Sequence, residues 1–260
     1  MTNKPPVQAS ESNGSSRIRP NVPMSVRAAN ILRRRLRQEF ANGGRLPSEH
    51  EIAVELGISR GTVRQALAIL QQEGVITRQQ GSGTYANPTV LGIPARIDFA
   101  YEFGQLIENS GLQAEIRTLE VSTTMADADA ARRLSITDGD PVLLVRKVFL
   151  ADGRPAIYGH ELLPLHLIRE AYVPAELEAP IFRFIERRCH THVDYILSEL
   201  VPTTAAAAIA PLLDVAEHTP MLQFVEVMYS PRNQPLVLAS IYFRDPLIRF
   251  HALRKLVPLD

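Results

Sequence analysis

Arg60, Thr62, Arg64 and Gln65 crowd the start of a periodic stretch, Ser59 to Glu73, whose Val63, Leu67 and Leu70 recur at the spacing of a buried helix stripe. Arg60 and Arg64 lie four residues apart and therefore share one helix face. From the first turns of a helix, an arginine can donate two parallel hydrogen bonds to a guanine edge, worth roughly 1–3 kcal/mol of discrimination between bases. Thr62, Gln65 and the Ser59 hydroxyl can add phosphate or base contacts. The plain alternative is a solvated face whose arginines pair with glutamates.

Three other groups could do chemistry. Gly81-Ser82-Gly83 would let a backbone approach a nucleic-acid minor groove with no β-carbon in the way. Cys189-His190-Thr191-His192 invites metal or thiol chemistry, but consecutive ligands diverge and no second Cys/His pair stands at finger spacing. A helix-to-strand turn with surface histidines explains it better, and the residues imply neither metal nor cofactor. Lys147 and Phe149 fall on one face of an expected strand, as do Ile157, Gly159 and Glu161 on the next.

The elements that position these groups are readable nearby. Val26, Ala29, Ile31, Leu32, Leu36 and Phe40 predict a helix over Pro23–Phe40, stopped by Asn42-Gly43-Gly44. Ser48 with Glu51 three residues on forms a capping box for a second helix, which ends at Gly57. Ser59 caps the third, and Gly74 ends it. Val75-Ile76-Thr77 and Thr84-Tyr85 then flank the glycine-rich tip as a hairpin. Two short helices in a tight turn followed by a β-hairpin spell a winged helix-turn-helix.

Beyond a Pro/Gly-containing linker over 87–95 the pattern changes. Strands are expected at Ala114–Val121, Pro141–Ala151, Pro155–Leu163, His192–Leu200, Met221–Tyr229 and Pro235–Phe243. Helices are expected at Tyr101–Ser110, Ala126–Leu134, Pro180–Arg188 and Thr203–Leu213. Leu134 to Pro141 is echoed by Leu213 to Pro220, each after a helix and before a strand pair, which predicts a weakly duplicated α+β domain around one antiparallel sheet. The expected organisation is thus a disordered tail over 1–20, a DNA-binding domain over 21–86, the linker, and a larger domain over 96–260.

Charge supports the division. Arg17 to Val90 holds 11 basic and 5 acidic residues, whereas Leu91 to Asp260 holds 16 basic and 22 acidic, although the whole chain is formally neutral. A basic segment joined to an acidic one suits a nucleic-acid module fused to another domain. One cysteine cannot form a disulfide within one chain, which suits a reducing cytoplasm. No apolar run reaches membrane-spanning length, and the Pro/Ser/Asn-rich N-terminus lacks the apolar core of a secretory signal.

Leu46 to Tyr85, LPSEHEIAVELGISRGTVRQALAILQQEGVITRQQGSGTY, resembles the DNA-binding domain of the GntR superfamily over forty ungapped residues. The remainder resembles the HutC-like branch with its UTRA effector domain. The features carrying this are Leu134…Gly139-Asp140-Pro141-Val142, Arg146-Lys147…Ala151-Asp152-Gly153-Arg154-Pro155, and Leu163-Pro164. The resemblance implies a repressor that dimerises, binds a pseudo-palindromic double-stranded operator and releases it on binding a metabolite. It implies DNA contacts at Arg60, Thr62, Arg64 and Gly83, supported by Ser48 and Ser59. Gln65 and Gly81 join them on the residues' own placement. His50 stands where the family usually has arginine; a neutral imidazole cannot make a forked cationic contact, so any His50 contact depends on pH.

The UTRA resemblance also implies ligand contacts at Lys147, Phe149, Gly159, Pro180 and Phe182, and near Val237 and Phe243, with Glu161 facing the same space. The three phenylalanines could equally be plain core, and Lys147 a plain strand charge. Regulators of this branch that take amino-sugar phosphates usually carry arginine where this chain has Phe149 and glutamate where it has Gly159 and Val237. Buried polar groups left unpaired cost roughly 1–3 kcal/mol each. The expectation is therefore an anionic effector held by Lys147 that is not an amino-sugar phosphate. Two further readings remain: an effector-blind DNA-binding protein whose second domain only dimerises, and a chorismate-lyase-like enzyme fused to a DNA-binding domain. The second rests on the likeness of the UTRA fold to that enzyme, and a shared fold is weak warrant for shared chemistry.

Overall fold

The structure, a computed structural model, describes residues 23–244 and 247–254, so the tail expected over 1–20 lies outside them. The chain divides between Gly92 and Ile93 into two compact units. In the first, helix α1 (Met24–Glu39) packs on α3 (Arg60–Gln72), and α2 (Glu49–Leu56) also lies against α3. Ala29, Leu32, Leu36, Ile52, Val63 and Leu67 are buried, as their periodicity predicts. Ile31 is a correction: it is 45% exposed, with Ala28 taking the inward place instead.

Strands β2 (Ile76–Gln79) and β3 (Gly83–Ala86) form the wing hairpin, and β1 (Gly44–Arg45) pairs with the outer side of β3. The stretch expected as linker begins as ordered structure. Asn87 Oδ1 accepts from Val90 N while its amide donates to Gly74 O at 3.1 Å, starting the short helix α4 (Pro88–Leu91). Val90 and Leu91 are buried, so this turn belongs to the first unit.

The second unit is built on one six-stranded antiparallel sheet. Its strands are β4 (Ala114–Met125), β5 (Pro141–Ala151), β6 (Arg154–Pro164), β7 (Tyr195–Thr204), β8 (Pro220–Tyr229) and β9 (Pro235–Phe243). Their order is β4-β5-β6-β9-β8-β7, so two three-stranded meanders join through their last strands. Helices α5 (Phe103–Asn109), α6 (Ala128–Leu134) and α7 (Ile181–Arg188) complete it. One face of the sheet carries the larger core, with Leu106, Ile107, Phe184, Ile185, Ile157 and Val237. The other packs against α6.

The duplication is visible bond by bond. Gly139 N donates to Ala126 O and Ala126 N to Asp140 O; His218 N donates to Ala205 O and Ala205 N to Thr219 O. Ser135 and Asp214, at matching places, both adopt positive φ, 55° and 51°. The halves differ where a helix was expected over Thr203–Leu213. Strand β7 runs through Thr204, and only a 3-10 turn at Ala210–Leu213 follows. The Ala205 bonds pull the alanine run toward the sheet, and Pro211 removes a donor that a continuing helix needs.

Candidate nucleic-acid interface and ligand cavity

Both helices of the turn start on a serine whose hydroxyl is occupied locally. Ser48 Oγ accepts from Glu51 N at 3.2 Å, and Glu51 Oε2 accepts from Ser48 N at 2.7 Å. That hydrogen bonding holds the Glu51 carboxyl below its ordinary range. Ser59 Oγ accepts from Thr62 N at 3.1 Å and lies 2.8 Å from Thr62 Oγ1. Ser48, Ser59 and Thr62 therefore shape the helix starts first; any DNA contact from them is additional.

Arg60, Arg64 and Gln65 are exposed along the start of α3. Arg60 forms no ion pair among the described residues, whereas Arg64 Nε lies 3.4 Å from Glu49 Oε2 and Arg78 3.5 Å from Glu49 Oε1. Both contacts are long and solvent-facing, so they compete weakly with a phosphate or base edge. His50 is exposed on α2. In the wing, Gly81 has φ 75° with open space where a Cβ would stand, so backbone conformation alone selects glycine. Gly83 has φ 125°, and a Cβ there would meet Arg45 Nε at 2.8 Å. Arg45 and Arg78 thus flank the tip and were not anticipated; two cations beside a glycine turn were the available signal. The Arg33–Arg37 run is partly structural: Arg33 pairs with Glu73, the C-cap of α3, and Arg35 with Glu39 and Glu55.

In the second unit, a cavity of about 330 Å³ opens over the face of the sheet that carries the larger core. Strand register aligns the sheet residues beneath it. Lys147, Gly159, Ile241 and Phe224 form one row across β5, β6, β9 and β8. The next row is Val145, Glu161, Ala239, Glu226 and Ser198, reaching β7. Phe149, Pro180 and Phe182 line the walls with Phe103, Phe224 and Phe250.

Of the expected effector residues, Lys147, Phe149, Glu161 and Phe182 come together on this lining. Gly159, Val237 and Phe243 do not reach it. Gly159 sits against the Ile241 side chain, Val237 is wholly buried, and Phe243 stands behind the wall, packed on Phe103, Phe224 and Phe250. Gly159 shares a sheet face with Glu161, as strand parity predicts, but being on that face does not bring a residue to the open part of it. Glu226, Ser198 and the aromatic residues of segment 97–104 were missed. Glu226 alternates with Phe224 and Met228, a legible signal; Ile97, Phe99, Tyr101 and Phe103 also alternate, but the segment before α5 forms no strand.

Lys147 is also placed differently from expectation. Its Nζ is buried, donates to Ala179 O at 2.9 Å and lies 3.6 Å from Glu161 Oε2. The ammonium expected to hold an anion is already engaged by protein groups. Burial pushes the Glu161 carboxyl up, with Lys147 opposing. Burial likewise raises Glu226, whose Oε1 accepts from Ser198 Oγ at 2.6 Å. Near the 189–192 turn, Cys189 is buried and its thiol is pushed up to about 11, while His190 Nε2 lies 2.9 Å from Glu170 Oε1. A neutral thiol is a poor nucleophile and metal ligand.

Comparison with known proteins places these features. The model for bacterial regulatory proteins of the gntR family matches residues 24–86, and that for the UTRA domain matches 109–247. The chain is 26% identical over 239 residues to the HTH-type transcriptional regulator Rv0792c of Mycobacterium tuberculosis, covering 89% of this chain and 86% of that one. It is also 26% identical to the mannosyl-D-glycerate transport/metabolism system repressor MngR of Escherichia coli, over 80% of this chain and 85% of the relative. Among solved structures, YydK of Bacillus subtilis superposes with TM-score 0.71 at 16% identity, over 90% of this chain and 100% of its own. PhnF of Mycobacterium smegmatis superposes with TM-score 0.54 at 24% identity, over 88% and 99%. A winged helix-turn-helix with a capped, arginine-bearing third helix, joined to a duplicated antiparallel-sheet domain, fits both family models, and the chain belongs to the GntR family of DNA-binding transcription regulators that carry a UTRA domain.

Proposed function

We propose that this protein is a metabolite-responsive repressor, working in the cytoplasm as a homodimer on a pseudo-palindromic operator. Each protomer presents the start of α3 to a major groove, with Arg60 and Arg64 reading bases and Thr62, Gln65, Ser48, Ser59 and His50 at the backbone or its edge. The Gly81–Gly83 tip, flanked by Arg45 and Arg78, approaches the minor groove. The exposed Arg60 at a capped helix start, without an ion pair among the described residues, is the observation that carries this reading. One helix reads too few base pairs for a genome-scale search, and a two-fold pair doubles the site.

Release follows when a small molecule occupies the cavity over Lys147, Phe149, Glu161 and Phe182. Among the described residues no arginine lines it, and Phe149 offers no donor, so an amino-sugar phosphate is disfavoured. The test is operator selection followed by footprinting and equilibrium binding. A symmetric footprint is expected from a dimer in solution. Arg60→Ala or Arg64→Ala should cost roughly 1–3 kcal/mol and relax preference at one operator position. A monomer with an asymmetric footprint, or a loss uniform across random DNA, overturns it.

A further inference from the structure

Among the described residues the ionisable groups lining the cavity are Asp98, Glu102, Lys147, Glu161 and Glu226, one base among four acids. Two of the acids have cationic partners: Asp98 pairs with Arg96, and Glu161 with Lys147. Glu226 has none. It is 8% exposed, and its hydrogen bond comes from the neutral Ser198 hydroxyl. Glu161 Oε2 is sealed from solvent and accepts no hydrogen bond, since Lys147 Nζ at 3.6 Å is beyond that reach. Both carboxylates share one row of the sheet, on either side of Ala239, about 10 Å apart at the backbone.

A buried carboxylate without a cation is costly unless something supplies one. Above this acidic row the wall is aromatic: Phe149, Phe182, Phe224 and Phe250 offer apolar surface. An anion would meet the surplus charge of Glu226 with no free base to answer it. A cation would answer that charge.

We propose that the cavity binds a small organic cation, a protonated amine held by the Glu226 carboxylate, with an apolar or aromatic body against Phe149, Phe182 and Phe224. This rests on the cavity being the effector site, and it replaces the anion that Lys147 alone suggested. The Glu226 carboxylate anchors the ammonium by a charge-assisted hydrogen bond, and the rings add cation–π attraction and apolar burial. The volume, about 330 Å³, is at the lower end for ligand pockets and suits a single-ring metabolite.

The test uses matched triplets on benzyl, phenylethyl, cyclohexylmethyl and indolylethyl skeletons, each as ammonium, carboxylate and primary amide. Thermal shift on the full chain and calorimetry read binding, and operator affinity is measured separately. Ammonium members are expected to bind saturably and raise the melting temperature, which a ligand specific for the folded state must do. Glu226→Gln, which keeps side-chain size and an acceptor for Ser198, should weaken them at least about tenfold. Glu161→Gln, which frees Lys147, should shift preference toward the carboxylates. Carboxylates or amides binding as well as the amines, indifference to Glu226→Gln, or no binding at all overturns the inference. Ammonium binding that disappears in Glu226→Gln yet leaves operator affinity unchanged upholds the charge assignment and instead overturns the effector reading.

Discussion

Lys147 Nζ lies 3.6 Å from Glu161 Oε2, on adjacent strands, with side chains only 4% and 15% exposed. The pair stands one sheet row apart, Lys147 opposite Gly159 and Glu161 opposite Val145, so the lysine reaches across the row while also donating to Ala179 O. This arrangement neutralises one carboxylate of the cavity floor and removes the ammonium from ligand duty.

Removing one partner of a buried pair strands the other charge. Lys147→Met should therefore destabilise the second unit by about 3 kcal/mol or more, whereas Lys147→Met combined with Glu161→Leu should recover most of that loss. Urea unfolding of the three proteins measures it. A single variant as stable as the parent, or a double variant no better than the single, would show that the pair is not coupled.

Glu226 carries the clearest pH signature. Burial first, and then the neighbouring Glu161, raise its carboxyl, while the Ser198 hydroxyl opposes. The folded state therefore holds this proton more tightly than the unfolded chain. Such a group costs no stability below its unfolded value, near 4.3, and weakens the fold as pH rises through its folded value. Glu226→Gln removes that loss. Its gain in melting temperature should be small at pH 4.5 and larger at pH 8; a gain that shrinks with rising pH would contradict the assignment.

The Ser59 hydroxyl serves the Thr62 backbone N–H before it serves any partner. Ser59→Ala should cost about 1 kcal/mol of stability in the first unit, the usual worth of an N-cap, with Ser59→Gly costing less. Chemical denaturation of the isolated variants, without DNA, separates this from any loss of operator binding. If Ser59→Ala unfolds like the parent but binds operator poorly, the hydroxyl acts on DNA and not as a cap.

Much of the first unit was legible because its signals are local. The Ser48–Glu51 box and the Ser59 cap each span four residues, and Gly57, Gly74 and Gly81 punctuate the elements directly. Strand β1 was invisible for the opposite reason: two residues, Gly44 and Arg45, become a strand only by pairing with Tyr85 and Ala86, forty residues on. The alanine run at 205–208 reads as helix by propensity, but backbone bonds between Ala205 and the 218–219 turn override it.

The chain by itself determined its class: a basic helix-turn-helix and wing, an acidic duplicated α+β domain, and which strand residues share a face. Those follow from period, capping and turn chemistry, which neighbours in sequence settle. The charge of the cavity was decided only in three dimensions. Lys147 is engaged by Glu161 fourteen residues away and by Ala179 thirty-two away, and Glu226 joins the same row through the β6–β9–β8 register. Strand parity names the face a residue points to; only packing determines whether its charge is already answered there.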